Sequence, residues 1–366
     1  MRSLFTITIQ GSYDPRSGGF RCYNSPMITH QLQRLAAREN LSFAEMQAAI
    51  DAIMRGTVAA EEMAAFLTAL KDKGETVDEL AGAAAALRQH MTPIRHARTG
   101  VIDTCGPGGH GSGTFNISTA AALVAVAAGV PVAKHGNRSI TSKTGSADAL
   151  AALGVNIMCP VSVVEKCLDE LGICFCFAPS LHPAMKHVAP VRKSLPFRTN
   201  FNLLGPLCNP AAAPFQLLGV GKPELRPLLA ASLHKLGTER TLVVHGEDGI
   251  GEVSLAGPSQ VTEVTPAGLR EFTWSPEDFG LTRADRTTLL VETAQQSADV
   301  IQRILNGEKG PPRDIVVLNA AAALWTAGKN ASPRMCAELA ASAIDSGDAR
   351  ERLRKLVELS NQPPSA

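Results

Sequence analysis

Between Asp103 and Asp148, four short segments concentrate the residue types that hold phosphate. The first reads Asp103-Thr-Cys-Gly-Pro-Gly-Gly-His-Gly-Ser-Gly113. Glycine density of this kind lets backbone N–H groups approach an anion with no Cβ in the way. Alone it is a weak signal, because many loops are glycine-rich, and its spacing is neither that of a Walker loop nor of a GxGxxG fingerprint. The second segment, Asn116-Ile-Ser-Thr119, opens a helix. Ser118 or Thr119 suits the cap of that helix, and hydroxyls with free amides at a helix start also make an anion site. The third, Lys134-His-Gly-Asn-Arg-Ser139, gathers two cations, an imidazole and an amide around a glycine, a poor set for filling a core. The fourth, Thr141-Ser-Lys-Thr-Gly-Ser-Ala-Asp148, adds hydroxyls and starts another helix. Four such segments in so short a stretch point to a phosphate-rich ligand.

Something must bring these segments together. After Pro93 the pattern alternates between strands and helices. Strands are expected at Val101–Cys105, Val130–Lys134, Ile173–Phe177, Gln216–Val220 and Thr241–His245. Helices are expected at Ser118–Ala128, Ala147–Leu153, Val163–Leu171 (stopped by Gly172), Glu224–Leu236, Ala298–Leu305, Ile315–Ala327 and Arg334–Ile344, with a frayed tail after Leu359. This alternation predicts an α/β domain, 94–366, with a mainly parallel central sheet flanked by helices and the phosphate segments at its strand ends. Ahead of it, 27–93 reads as a small all-helical domain. Ser42 with Glu45, and Thr76 with Glu79, carry the capping-box spacing. These helices are short and rich in small residues, so they need a partner surface, which suggests a homodimer; a few later segments are expected to return to this domain. Residues 1–26 show no sustained period and read as a disordered extension, with Met27 an alternative start of the folded unit.

Composition narrows the class. Hydrophobic residues make up 45% and charged residues 19%, a globular balance. A formal net charge of +1 gives no global field for nucleic acid or an acidic membrane, so an anionic ligand needs a local site. The longest apolar candidate, Ala120 to Ala133, is shorter than a membrane span and is broken by Gly129 and Pro131. Eight cysteines at irregular spacings form neither a zinc knuckle nor a CxxC pair, and reduced thiols in a cytoplasmic protein are the expectation.

Gly106 to Thr119, Lys134 to Ser139, Thr141 to Asp148, His182 to Arg192, Phe201-Asn-Leu-Leu-Gly-Pro206 and Asn319 to Leu324 together resemble the signatures of the anthranilate phosphoribosyltransferase family. The resemblance runs from Ile28 to about Arg350 in order and spacing. It implies a nucleoside phosphorylase-like fold, a small helical domain joined to a larger α/β domain, with dimerisation through the helical part. It implies transfer of the phosphoribosyl group of phosphoribosyl pyrophosphate (PRPP) to the amine of anthranilate, with Mg2+. Carried over by position, Gly106, Gly108, Gly109, Asn116, Ser118, Thr119, Lys134, Ser142 and Ser146 would hold PRPP. Gly106, His135, Asn137, Arg192 and Pro206 would line the anthranilate channel, with Arg192 facing the substrate carboxylate. Ser118 and Glu252 would serve the magnesium.

Three positions depart from that pattern. Where the family loop usually reads Gly-Thr-Gly-Gly-Asp-Gly, this chain has Gly106-Pro-Gly-Gly-His-Gly111, so Pro107 removes a backbone donor and His110 replaces a carboxylate. Gly251 precedes Glu252 where the family has an acidic pair, which implies weaker magnesium binding unless Glu247 or Asp248 compensates. These departures leave room for a paralogue with another aromatic amine acceptor, or for a non-catalytic binding protein on the same scaffold. Intact Lys134, Asn137, Arg138 and Arg192 argue against the second.

Overall fold

The computed structural model describes residues 12–14, 19–21, 26–106, 113–139 and 143–363. In the N-terminal extension, β1 (Ser12–Asp14) and β2 (Gly19–Arg21) pair antiparallel. Helices α1 (Pro26–Ala36), α2 (Phe43–Met54), α3 (Ala60–Lys73) and α4 (Val77–Gln89) follow. Both capping boxes form as their spacing predicts. Glu79 does more than cap α4. Completely shielded from solvent, it accepts from the backbone N–H of Thr76 (2.8 Å) and of Leu41 (2.9 Å) and pairs with Lys73 Nζ at 2.8 Å. A buried carboxylate persists here because both its oxygens accept hydrogen bonds and one of the donors is a cation. Gly82 lets α4 press on α2, since a Cβ there would lie 2.4 Å from the Phe43 carbonyl oxygen.

A seven-stranded sheet forms the second unit: β3 (Ile102–Cys105), β4 (Val132–Gly136), β5 (Ile173–Phe177), β6 (Phe215–Gly219), β7 (Arg240–Gly246), β8 (Ser259–Thr265) and β9 (Gly268–Trp274), in the order β5-β4-β3-β6-β7-β8-β9. Pairings from β5 to β7 are parallel, and β8 and β9 add an antiparallel edge. Side chains alternate between the two faces. Leu217, Leu242, Val244 and Val261 join the core beneath α5 (Ile117–Ala127) and the helix Pro311–Thr326. Leu218, Val243 and Val264 turn the other way, into a core shared with α2, α3 and α4 and the helix Leu225–Leu236. The helical domain therefore covers one face of the sheet rather than standing apart. Val188, Val191, Phe201 and Leu204 enter the same core. Ala81, Ala83, Ala84 and Ala86 are buried within the single chain, so their apolar surface already has a partner.

The expected helix Val163–Leu171 begins at Val161 and widens into a π-helical turn, Cys167–Leu171, before Gly172 ends it at φ 75°. The β8–β9 hairpin and the helix Asp348–Ser360 lie outside the expected elements. The seven described cysteines form no disulfide. Among the described residues no helix is long and apolar enough to cross a membrane.

Candidate active site

A cavity of about 640 Å³ opens at the carboxyl ends of β3, β4 and β5, with Leu87 of α4 and segments from Ala178 to Pro206 as its far wall. Crossing loops diverge at this end of a parallel sheet, which leaves backbone amides and loop side chains to face a ligand.

At one end stands Lys134, buried on β4 with 3% of its surface exposed. Its Nζ donates to the Thr104 carbonyl and to Ser118 Oγ at 3.1 Å. Burial holds its pKa below the ordinary lysine value, opposed by Asp103. Asp103 is buried behind it, accepts the His135 N–H at 3.1 Å and has its own pKa pushed up by burial. α6 (Ser146–Ala152) begins beside this group. Asp148 accepts from the N–H of Ser139 (2.9 Å) and of Gly145 (3.1 Å), which folds residues 137–139 against the start of α6. That contact needs glycine, because a Cβ on Gly145 would come within 2.4 Å of Ser139 N.

Glu252 closes the same end. The Gly251 carbonyl rests on Gly219, where a Cβ would lie 1.7 Å from its oxygen. Asn319, fully buried, accepts from Val253 N–H at 2.9 Å and donates to the Val253 carbonyl at 3.0 Å. The backbone beside Glu252 is thus fixed from two sides. Burial raises the Glu252 carboxyl to about 7, against the pull of Lys134 and of the Ser118 N–H.

On the opposite face of β4 from Lys134, His135 Nδ1 lies 3.0 Å from the Gly205 carbonyl and His135 Nε2 lies 3.2 Å from His182 Nε2. A carbonyl only accepts, so His135 carries its proton on Nδ1 and receives one at Nε2 from His182. Burial lowers His135 to about 4 and His182 to about 3, so both rings stay neutral near pH 7. Arg192 follows on the helix Ala189–Ser194, with its guanidinium 5.4 Å from the Phe201 ring centre. No carboxylate pairs with it among the described residues. Burial and then Arg198 hold its pKa below the usual arginine value. Pro206 is braced through its carbonyl, which accepts from Gln216 Nε2 at 2.6 Å.

Of the residues expected at the site, Gly106, Asn116, Ser118, Lys134, His135, Asn137, Ser146, Arg192, Pro206 and Glu252 all line this cavity. Thr119 does not line it. Its side chain is buried away from the cavity, because it falls on the inward face of α5. Glu247 and Asp248 do not reach the cavity; the Asp248 carboxylate folds back toward Gly246. Gly108, Gly109 and Ser142, with Pro107 and His110, lie outside the described residues. Thr144, Lys143, Lys186, Arg198 and Asn202 also line the cavity. Only their nearness to glycine-rich or basic segments marked them in the sequence.

Residues 98–350 match the glycosyl transferase family a/b domain and 29–91 its helical bundle domain. The chain is 47% identical over 331 residues to the anthranilate phosphoribosyltransferase of Moorella thermoacetica, covering 90% of this chain and 98% of that one. It is 50% identical over 334 residues to that of Rhodopirellula baltica, covering 91% and 96%. Among solved structures, anthranilate phosphoribosyltransferase from Thermus thermophilus superposes with a TM-score of 0.85 at 43% identity, over 90% of this chain and 99% of that one. The Saccharomyces cerevisiae enzyme in complex with PRPP and Mg superposes at 0.84 with 26% identity, over 92% and 99%.

Proposed function

The chain belongs to the anthranilate phosphoribosyltransferases of the glycosyl transferase family, and from that premise we propose how its own residues move a phosphoribosyl group from PRPP to anthranilate. Gly106, Asn116, Ser118, Lys134 and Ser146 receive PRPP; Gly108, Gly109 and Ser142 carry the same role on resemblance. His135, Asn137, Pro206 and Arg192 receive anthranilate. Arg192 carries this reading: it lines the cavity that Lys134 also lines, and among the described residues no carboxylate pairs with it.

The bond between C1 of the ribose and pyrophosphate breaks, and the leaving group takes the electron pair. Positive charge builds on the sugar ring, and the amine nitrogen of anthranilate forms the new bond and gives up one proton, which the departing pyrophosphate can accept. Little is asked of side chains as bases. Lys134 and the amides at the start of α5 stabilise the departing charge, while the neutral histidine pair and Arg192 hold the nucleophile in line. Glu252 is the one carboxylate lining the cavity among the described residues. Magnesium tolerates such a set, because it keeps waters and binds chiefly through substrate phosphates. Ser118 and Glu252 therefore fit a magnesium ion that arrives with PRPP, which when bound neutralises charge on the pyrophosphate.

A cytoplasmic setting accords with unpaired thiols, and self-association through α1 and α3 is part of the proposal, since Leu32, Ala64 and Ala69 are only partly covered. Mass spectrometry after incubation with PRPP, magnesium and anthranilate tests the reaction. N-(5-phosphoribosyl)anthranilate is the expected product, and unchanged anthranilate would refute it.

A further inference from the structure

Ser297 belongs to no motif and lies 181 residues from Asn116, yet the two form a reciprocal pair. Ser297 is fully buried in the first turn of the helix Ala294–Leu305. Its Oγ accepts the Asn116 N–H at 2.9 Å and donates to Asn116 Oδ1 at 2.8 Å. Thr144 Oγ1 donates to the same Oδ1 at 2.5 Å. The two ends of an asparagine side chain are not equivalent, since the carbonyl accepts and the amino group donates. Turning the amide over would set its amino group against two hydroxyls and strip the buried Ser297 proton of its acceptor. The orientation with the carbonyl toward Ser297 and Thr144 is the one that gives both hydroxyl protons an acceptor on this side chain. Asn116 lines the cavity, and its Nδ2 makes no hydrogen bond among the described residues.

We infer that Ser297, together with Thr144, is a positioning residue that presents the Asn116 amino group to the PRPP anion. The inference rests on reading this end of the cavity as the PRPP site. Its surroundings support it. The stretch before Ser297 also holds the exit of the glycine-rich loop, because Leu289 accepts from Phe115 N–H at 3.0 Å and Gly113 accepts from Val291 N–H at 2.8 Å. Glu292 pairs with Lys143 of the neighbouring loop. One segment thus braces both walls of the phosphate pocket, and Ser297 carries that brace to a donor that can touch the ligand.

Steady-state KM values for PRPP and for anthranilate test the inference in Ser297→Ala, in Thr144→Val and in each combined with Asn116→Ala. In the parent background each change raises the PRPP KM roughly tenfold, the scale of one hydrogen bond to a charged group, and leaves the anthranilate KM within about twofold. In the Asn116→Ala background neither change adds a further loss, because both act through that side chain. A merely structural Ser297 would lower thermal stability with an unchanged PRPP KM, or add its loss to that of Asn116→Ala; either result overturns the inference. Thr144→Val leaves the helix untouched, so it decides the matter alone if Ser297→Ala does not fold. If Asn116→Ala turns over too slowly, calorimetric titration of PRPP with magnesium replaces KM. Failure of the parent protein to use PRPP would overturn the underlying reading, whereas a normal parent with unaffected variants would overturn only this inference.

Discussion

Replacing Arg192 by alanine removes the cation to which the proposal assigns the anthranilate carboxylate. The guanidinium is half-buried, sits over the Phe201 ring and has no carboxylate partner among the described residues. A ligand carboxylate placed there exchanges water for a charge-assisted bond, and it also offsets the burial and, after it, the Arg198 repulsion that lower the Arg192 pKa. Such a bond contributes about 1.5–3 kcal/mol, which corresponds to roughly a ten- to a hundred-fold change in affinity. Arg192→Ala should therefore raise the anthranilate KM by that factor and leave the PRPP KM nearly unchanged. Initial rates from the loss of anthranilate fluorescence, with each substrate varied at saturating levels of the other, supply both values. Aniline, which lacks the carboxylate, should be used poorly by the parent protein and be indifferent to the substitution. Equal losses for PRPP and anthranilate would move Arg192 out of the acceptor site and refute the division of the cavity.

Three further outcomes follow from the same geometry. His135 and His182 have folded pKa values near 4 and 3, below the roughly 6.5 of an unfolded histidine, so the unfolded chain takes up protons first as pH falls. Their contribution to stability is complete above about pH 6.5 and is lost toward pH 4, roughly 3 kcal/mol for His135 at about 1.4 kcal/mol per pKa unit. Urea unfolding from pH 7.5 to 5 should show the decline, flattened in His135→Asn/His182→Asn, and a flat parent profile would contradict it. Magnesium should bind the free protein weakly and more tightly as pH rises through about 7, where Glu252 ionises, and Gly251→Asp should strengthen it several-fold by adding a second carboxylate; calorimetry showing the same affinity at pH 6 and pH 8 in both proteins would exclude that role. Light scattering should give a dimer mass at micromolar concentration, and a monomer mass would remove α1 and α3 from any interface.

That Lys134, Ser118 and Asn116 meet at one cavity was legible because their chemistry is local. Lys134, Ser118 and Asn116 sit in segments whose composition departs from that of a core, and parallel strands carry such segments to one edge. Boundaries held where capping residues or glycines punctuate the chain, as at Ser42, Thr76 and Gly172. The β8–β9 hairpin escaped because Ser259–Thr265 mixes polar and β-branched residues, and its position beside β7 depends on a pairing that no local period announces. Thr119 shares a motif with Ser118 but does not line the cavity, because neighbouring positions on a helix face different directions. Asn319 and Ser297 act on Val253 and Asn116 across long stretches of chain, so only the folded arrangement reveals their work. The alanines of α4 suggested a surface awaiting another copy; the folded chain covers them itself, against the helix Leu225–Leu236 and the sheet behind it.

Pyrophosphate released and anthranilate consumed, measured in one reaction with PRPP and magnesium, show whether the sugar passes from one substrate to the other. Direct transfer within one cavity requires the two to rise together in a one-to-one ratio, and to stop together when PRPP, magnesium or anthranilate is left out. Pyrophosphate appearing while anthranilate fluorescence stays constant would show that the sugar is passed to water or another acceptor, and would contradict the assignment of the Arg192 end to anthranilate.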